Sequence, residues 1–312
     1  MILSPEILTI YILDVLFLVF GSIAFYLSVK IYFKYDKYSS SKLQYTLEKQ
    51  SYLASTIIKY ILALKVALFL FFIFTLDKLS NVLSGAMCGA GVLDAMEYGN
   101  FLIVLKVLNI YLFAYWLLLN KDDTNQEQQP YMRLKFGLFT GLFFLLLVEI
   151  LLEFYTFYNF ETDKLVSCCG TLYSSSSTSM VSTLFAIDNA VLVSVFYINF
   201  ALLVLFYFLK SKYLYALSNL TFIIVSIISL IMFFGTYIYQ LPSHHCPFCY
   251  LQSDYYYVGY LIYTVLFLGT FFGLVVVFKD KFFKLSFVSN ILFVLLVSGY
   301  VLVYYFVNGV FL

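Results

Sequence analysis

Charged side chains are scarce in this chain: 18 Lys and Arg and 17 Asp and Glu among 312 residues, 11% in all, where a water-soluble domain carries about a quarter. Their near balance, a formal net charge of +1, leaves no excess of clustered basic residues and excludes nucleic acid as the obvious partner. Proline is limited to 4 residues and glycine to 14, too few for a collagen-like fibre. Tryptophan occurs once and histidine twice. Strand-like alternation of apolar and polar residues is lacking too, which argues against a transmembrane barrel. What the chain has in abundance is apolar surface: 63% hydrophobic residues, 36 Phe, 30 Tyr and a mean hydropathy of +0.95. That composition excludes disorder and belongs in a lipid bilayer.

A helical span needs about 20 mainly apolar residues, because in lipid each backbone polar group must be satisfied within its own segment. Eight stretches qualify, at roughly 7–33, 56–77, 101–119, 134–157, 183–209, 213–239, 256–278 and 285–310. The predicted fold is an all-α, polytopic membrane helical bundle of about eight transmembrane helices, a single integral membrane domain over residues 1–312. Basic residues are retained on the cytoplasmic side. Lys30, Lys34, Lys37, Lys42, Lys49, Lys59, Lys65, Lys121, Arg133, Lys135, Lys210, Lys212, Lys279, Lys281 and Lys284 fall on one side, 15 of the 18, with Lys78, Lys106 and Lys164 as exceptions. Both termini then face outward, and the expected location is the inner (cytoplasmic) membrane of a bacterial-type cell. The opening MILSPEILTIYILDVLFLVF has no basic n-region and no small-residue cleavage site, so it reads as a retained span. Residues 34–55 read either as a polar loop or as a short helix lying on the membrane surface.

Under this topology all five cysteines lie in outward loops: Cys88 after the second span, Cys168 and Cys169 after the fourth, Cys246 and Cys249 after the sixth. Disulfides persist outside the cytoplasm, whereas internal thiols are kept reduced. The distribution therefore points to redox chemistry, metal chemistry or structural staples at the outer face. Adjacent cysteines seldom bond to each other because the ring strains the intervening peptide. Cys168 and Cys169 are thus expected to face different partners, one shuttling electrons to the Cys246–Cys249 pair and the other pairing with Cys88. Five is odd, so at least one sulfur is left for a ligand or another molecule.

The stretch HHCPFCYLQSDYYYVGYLIY from His244 is the most informative. Two cysteines separated by two residues close a small, readily exchanged disulfide whose thiol acidity neighbours can tune. Cys246, Pro247, Phe248, Cys249 and, three residues on, Gln252 at the mouth of a span resemble the motif of the Dsb B-type membrane enzymes. Those enzymes reoxidise periplasmic thiol oxidases with quinone, and vitamin K epoxide reductases share the general arrangement. Ser253 stands where the Dsb B-type motif has Arg, and both families use about four helices. The resemblance implies thiol–disulfide electron transfer from an extracytoplasmic thiol protein to a quinone, with Cys246 and Cys249 exchanging, Cys168 or Cys169 as shuttle, and Gln252 and Tyr256 near the quinone.

The alternative is non-enzymatic: an accessory protein, or a subunit of a larger membrane complex, that binds copper or zinc or passes it to a metalloenzyme. Thiolate, thioether and imidazole suit such soft metals, and Met87, Cys88, His244 and His245 join the remaining cysteines at one face. The histidines can equally serve to lower a thiol pKa.

Ionisable residues within spans mark function by default. Asp14, Lys106, Glu149, Glu153 and Asp188 all fall in the outer half of predicted spans, about 5–13 Å below the surface at 1.5 Å per residue. They read as a proton path or, for Lys106 with Glu149 or Glu153, as a buried ion pair. Lys65 lies in the inner half and is expected to snorkel to the cytoplasmic surface.

Overall fold

A computed structural model describes residues 4–36, 39, 41–126, 129–160, 166 and 188–312. Most of these residues are helical, with no strand among them. The helices are α1 (Pro5–Lys34), α2 (Lys42–Ser80), α3 (Gly89–Ala95), α4 (Gly99–Thr124), α5 (Met132–Tyr158), α6 (Asn189–Phe208), α7 (Lys212–Tyr239), α8 (Val258–Val275) and α9 (Phe283–Asn308). Eight of them, all but α3, are long and apolar enough to cross a membrane. The chain is a multi-pass membrane protein in contact with lipid. Within the 34–55 segment, residues 42–55 form neither a separate loop nor a separate surface helix. No Pro or Gly interrupts 42–80, and the buried series Gln44, Leu47, Ser51, Ala54 and Ile58 runs on into the span at helical spacing. One helix of 39 residues results.

The residues group into two compact units, one made of residues 1–79 and 93–164, the other of 80–92 and 165–312. In the first, α1 begins under a Ser4 cap, whose hydroxyl accepts from the Ile7 N–H at 3.4 Å, with Pro5 at the first helical position. Its buried face is Ile7, Ile10, Asp14, Phe17, Gly21, Ala24, Ser28 and Ile31, alternating steps of three and four that form a narrow seam. α1 and α4 both pack against α5. At one end of α4 and α5, Lys135 is ion-paired to Asp123 at 2.8 Å, both buried, and the Trp116 indole donates to the Lys135 carbonyl at 2.7 Å.

The described residues of the second unit form four long helices, α6 to α9. Phe196, Phe222, Phe234 and Phe293 form its aromatic centre, with Phe196 and Phe234 4.9 Å apart edge to face. Below them the Asn290 amide donates to the Asn219 carbonyl oxygen at 2.9 Å, and the Ser286 hydroxyl donates to the Gly269 carbonyl at 2.6 Å. Gly273 lets α7 and α8 approach, because a Cβ there would fall on the Asn219 amide. Gly273→Ala is therefore expected to cost about 1–3 kcal/mol by overpacking, read as a lower unfolding midpoint in detergent.

Residues 230–234 form a π turn within α7. The wider turn leaves the Ile231 carbonyl as a partner for His245 Nδ1 at 3.0 Å. The bend sits directly before the loop that carries Cys246 and Cys249.

Candidate functional site

The second unit assembles three sulfurs. Cys246 and Cys249 lie on the loop between α7 and α8, and Cys88 immediately precedes α3. Gly85 makes the approach of the Cys88 segment possible. Its φ of +91° is in the left-handed region that favours glycine, and a Cβ would meet the Val166 carbonyl. The Gln252 side-chain amide then donates to the Met87 carbonyl at 3.1 Å, fastening the residue before Cys88 to the Cys246–Cys249 loop. The result brings the sulfurs of Cys88, Cys246 and Cys249 within 4.8 Å of one another, all buried. Cys88 Sγ is 3.4 Å from Cys246 Sγ, a contact well beyond the roughly 2.05 Å of a disulfide.

Tyrosines hold the loop. The Tyr239 hydroxyl donates to the Cys246 carbonyl and accepts from the Tyr250 N–H at 3.1 Å. The Tyr263 hydroxyl donates to the Pro247 carbonyl at 3.0 Å and accepts from the Tyr250 hydroxyl at 2.5 Å. Burial pushes the Tyr250 phenol well above its ordinary pKa, so it serves as a neutral hydrogen-bond donor. The Phe248 N–H donates to Cys246 Sγ at 3.4 Å.

Expected site residues separate on this geometry. Neither histidine joins the three-sulfur group among the described residues. His244 stacks edge-on against Tyr239 with ring centroids 4.4 Å apart. Burial depresses the His245 pKa, so that imidazole is uncharged at neutral pH. Met87 and Tyr256 turn outward, 65% and 93% exposed. Gln252, placed by resemblance near a quinone, contacts the Cys88 segment. Cys168 and Cys169, expected as shuttle and as partner of Cys88, lie outside the described residues, as does Lys164.

The first unit assembles a different group. Lys106 Nζ lies 3.0 Å from Glu149 and 2.7 Å from Glu153. Lys65 does not snorkel to the cytoplasmic surface. It is 4% exposed, with its ammonium 2.6 Å from Asp14, 3.3 Å from Glu149 and 3.7 Å from Glu153. The reason is reach: nine residues inside the 56–77 stretch is about 14 Å along a helix, longer than its butyl stem, whereas three carboxylates lie close by. Asp188 belongs to the other unit, where its side chain accepts from the Ala190 N–H at 3.2 Å and caps α6.

Fold and site together define a multi-pass helical membrane protein with a buried three-cysteine group. Comparison with known protein families, with curated proteins and with solved structures found no match.

Proposed function

We propose that this protein is an inner-membrane thiol–disulfide oxidoreductase that carries electrons from an extracytoplasmic dithiol to a membrane quinone. Cys246 and Cys249 form the exchanging disulfide and Cys88 is its internal exchange partner. The 3.4 Å contact between Cys88 Sγ and Cys246 Sγ carries this reading, since it sets a third sulfur at attack distance from the pair. In the exchange step the Cys88 thiolate attacks Cys246, the Cys246–Cys249 bond breaks, and Cys249 leaves as thiolate to take up the proton that Cys88 gave up. The extracytoplasmic dithiol then reduces the Cys88–Cys246 disulfide and itself becomes a disulfide, and reoxidation of the resulting Cys246–Cys249 dithiol passes two electrons and two protons to the quinone, giving hydroquinone.

Two further observations support the reading. Among the described residues the cysteine-bearing unit has four long helices, the number expected for the thiol oxidoreductases that the Cys-Pro-x-Cys motif resembles. One disulfide and one thiol are together uncharged, which suits buried sulfurs on two segments, 80–92 and 240–257, that contain no Lys or Arg.

A second reading, a soft-metal site, is favoured by one spacing. Three sulfurs about 2.3 Å from a zinc-sized centre would stand about 4 Å apart, and these three lie within 4.8 Å of one another. The two readings part on one preparation, purified anaerobically, assayed for bound metal and titrated for thiols before and after quinone. Loss of two thiols per chain with matching hydroquinone and no metal is expected. Stoichiometric copper or zinc that disappears in Cys246→Ser would overturn the redox assignment.

A further inference from the structure

Each of α1, α2, α4 and α5 sends charge into the interior of the first unit. Asp14 comes from α1, Lys65 from α2, Lys106 from α4, and Glu149 and Glu153 from α5. All five are buried, the most exposed at 4%. Fully ionised, three carboxylates against two ammonium groups leave one uncompensated negative charge, which a buried site strongly disfavours.

The hydrogen bonds show where that charge is least well held. Glu149 is satisfied at both oxygens, by the two lysines at Oε1 and by the Asn109 amide at Oε2, 2.5 Å away. Glu153 takes the lysines on Oε2, while its Oε1, fully buried, has no hydrogen-bond partner among the described residues. Asp14 faces Lys65 through Oδ1, and its Oδ2 is likewise buried without a partner among them. Tyr11 on α1, also titratable and beside them, donates its hydroxyl to the Phe154 carbonyl at 3.3 Å.

We propose that this cluster binds one exchangeable proton, shared between Asp14 and Glu153, and is a proton-binding station within the membrane-spanning part of the chain. The proton makes the group electrically neutral and converts an orphaned acceptor oxygen into an O–H donor. Its depth fits a relay. Counted from the ends of α1, α4 and α5 nearest to them, Asp14, Lys106, Glu149 and Glu153 lie about 8–14 Å in, at 1.5 Å per residue.

Infrared difference spectra of the full chain in liposomes, taken between mildly acid and mildly alkaline pH, test the assignment. One protonated-carboxyl band, equivalent to one proton per chain, is expected in the wild type. It should be lost in Asp14→Asn and in Glu153→Gln, where two carboxylates face two lysines. If one variant does not fold, the other is decisive. Absence of a protonated carboxyl across the range, or a band of undiminished strength in either folded variant, would overturn the proposal.

Discussion

Lys106→Met is expected to lower the stability of the folded chain by about 3–5 kcal/mol, the cost of leaving buried carboxylates without their counter-ion. The side chain is 5% exposed and its ammonium is the closest cation to both Glu149 and Glu153. Lys65 alone would then face three carboxylates. The loss should deepen as pH rises. Burying the unpaired carboxyls requires them to hold protons that the unfolded chain has released, so the folded state binds more protons and stability falls with increasing pH. Unfolding midpoints in mixed-detergent titrations at several pH values measure both effects. Adding Glu153→Gln to Lys106→Met restores the wild-type excess of one carboxylate and should recover part of the loss, a coupling that a double-mutant cycle isolates. An unfolding free energy within a few tenths of a kcal/mol of wild type for Lys106→Met would mean that its contacts with Glu149 and Glu153 contribute little.

The same cluster shows how far the sequence could be read. Eight spans were legible because unbroken apolar runs leave the backbone no choice but a helix in lipid. Lys65 was not. Its assignment to the cytoplasmic side followed from the count of basic loop residues, a rule about translocation that carries no information on side-chain contacts. Its depth in the span, and an expected excess of carboxylates over Lys106, were the available signals. Asp188 failed for the opposite reason: a run of apolar residues continued past it, while its short carboxylate suits the cap of α6. The three-sulfur group was partly legible. The spacing of Cys246 and Cys249 is local and visible, but the approach of Cys88 spans 158 positions. It depends on a positive φ at Gly85 and a side-chain bond from Gln252 to a backbone carbonyl, neither of which leaves a periodic trace. The roles of Tyr239, Tyr250 and Tyr263 were hidden by abundance. Among 30 tyrosines, most suited to a membrane-interface belt, nothing in their spacing marked the three that hold the cysteine loop.

Cys249→Ser is expected to accumulate a disulfide between Cys88 and Cys246, and Cys246→Ser to abolish electron transfer to quinone, a loss of more than about 100-fold. Both follow from the order of the sulfurs. Cys246 is the member of the pair that Cys88 touches, so an intermediate Cys88–Cys246 disulfide is normally resolved by Cys249. With a serine hydroxyl in place of that thiol, no internal thiolate can displace Cys88, and the cross-link should persist until an external thiol reduces it. Its position makes it easy to see: cleavage of the chain at a site engineered between residues 170 and 240, which leaves Cys246 the one cysteine of the C-terminal fragment, should leave two fragments joined under non-reducing conditions and separate after reduction. The additional change Cys88→Ser should release them. Fragments that remain joined in that double variant would show that Cys246 pairs elsewhere. Cys88→Ser alone gives a sharper discrimination, because it leaves the Cys246–Cys249 pair able to reduce quinone once. It should retain that single turnover but lose repeated transfer from an added dithiol. Repeated transfer at the wild-type rate would remove Cys88 from the electron path, and its 3.4 Å contact with Cys246 would then be packing alone.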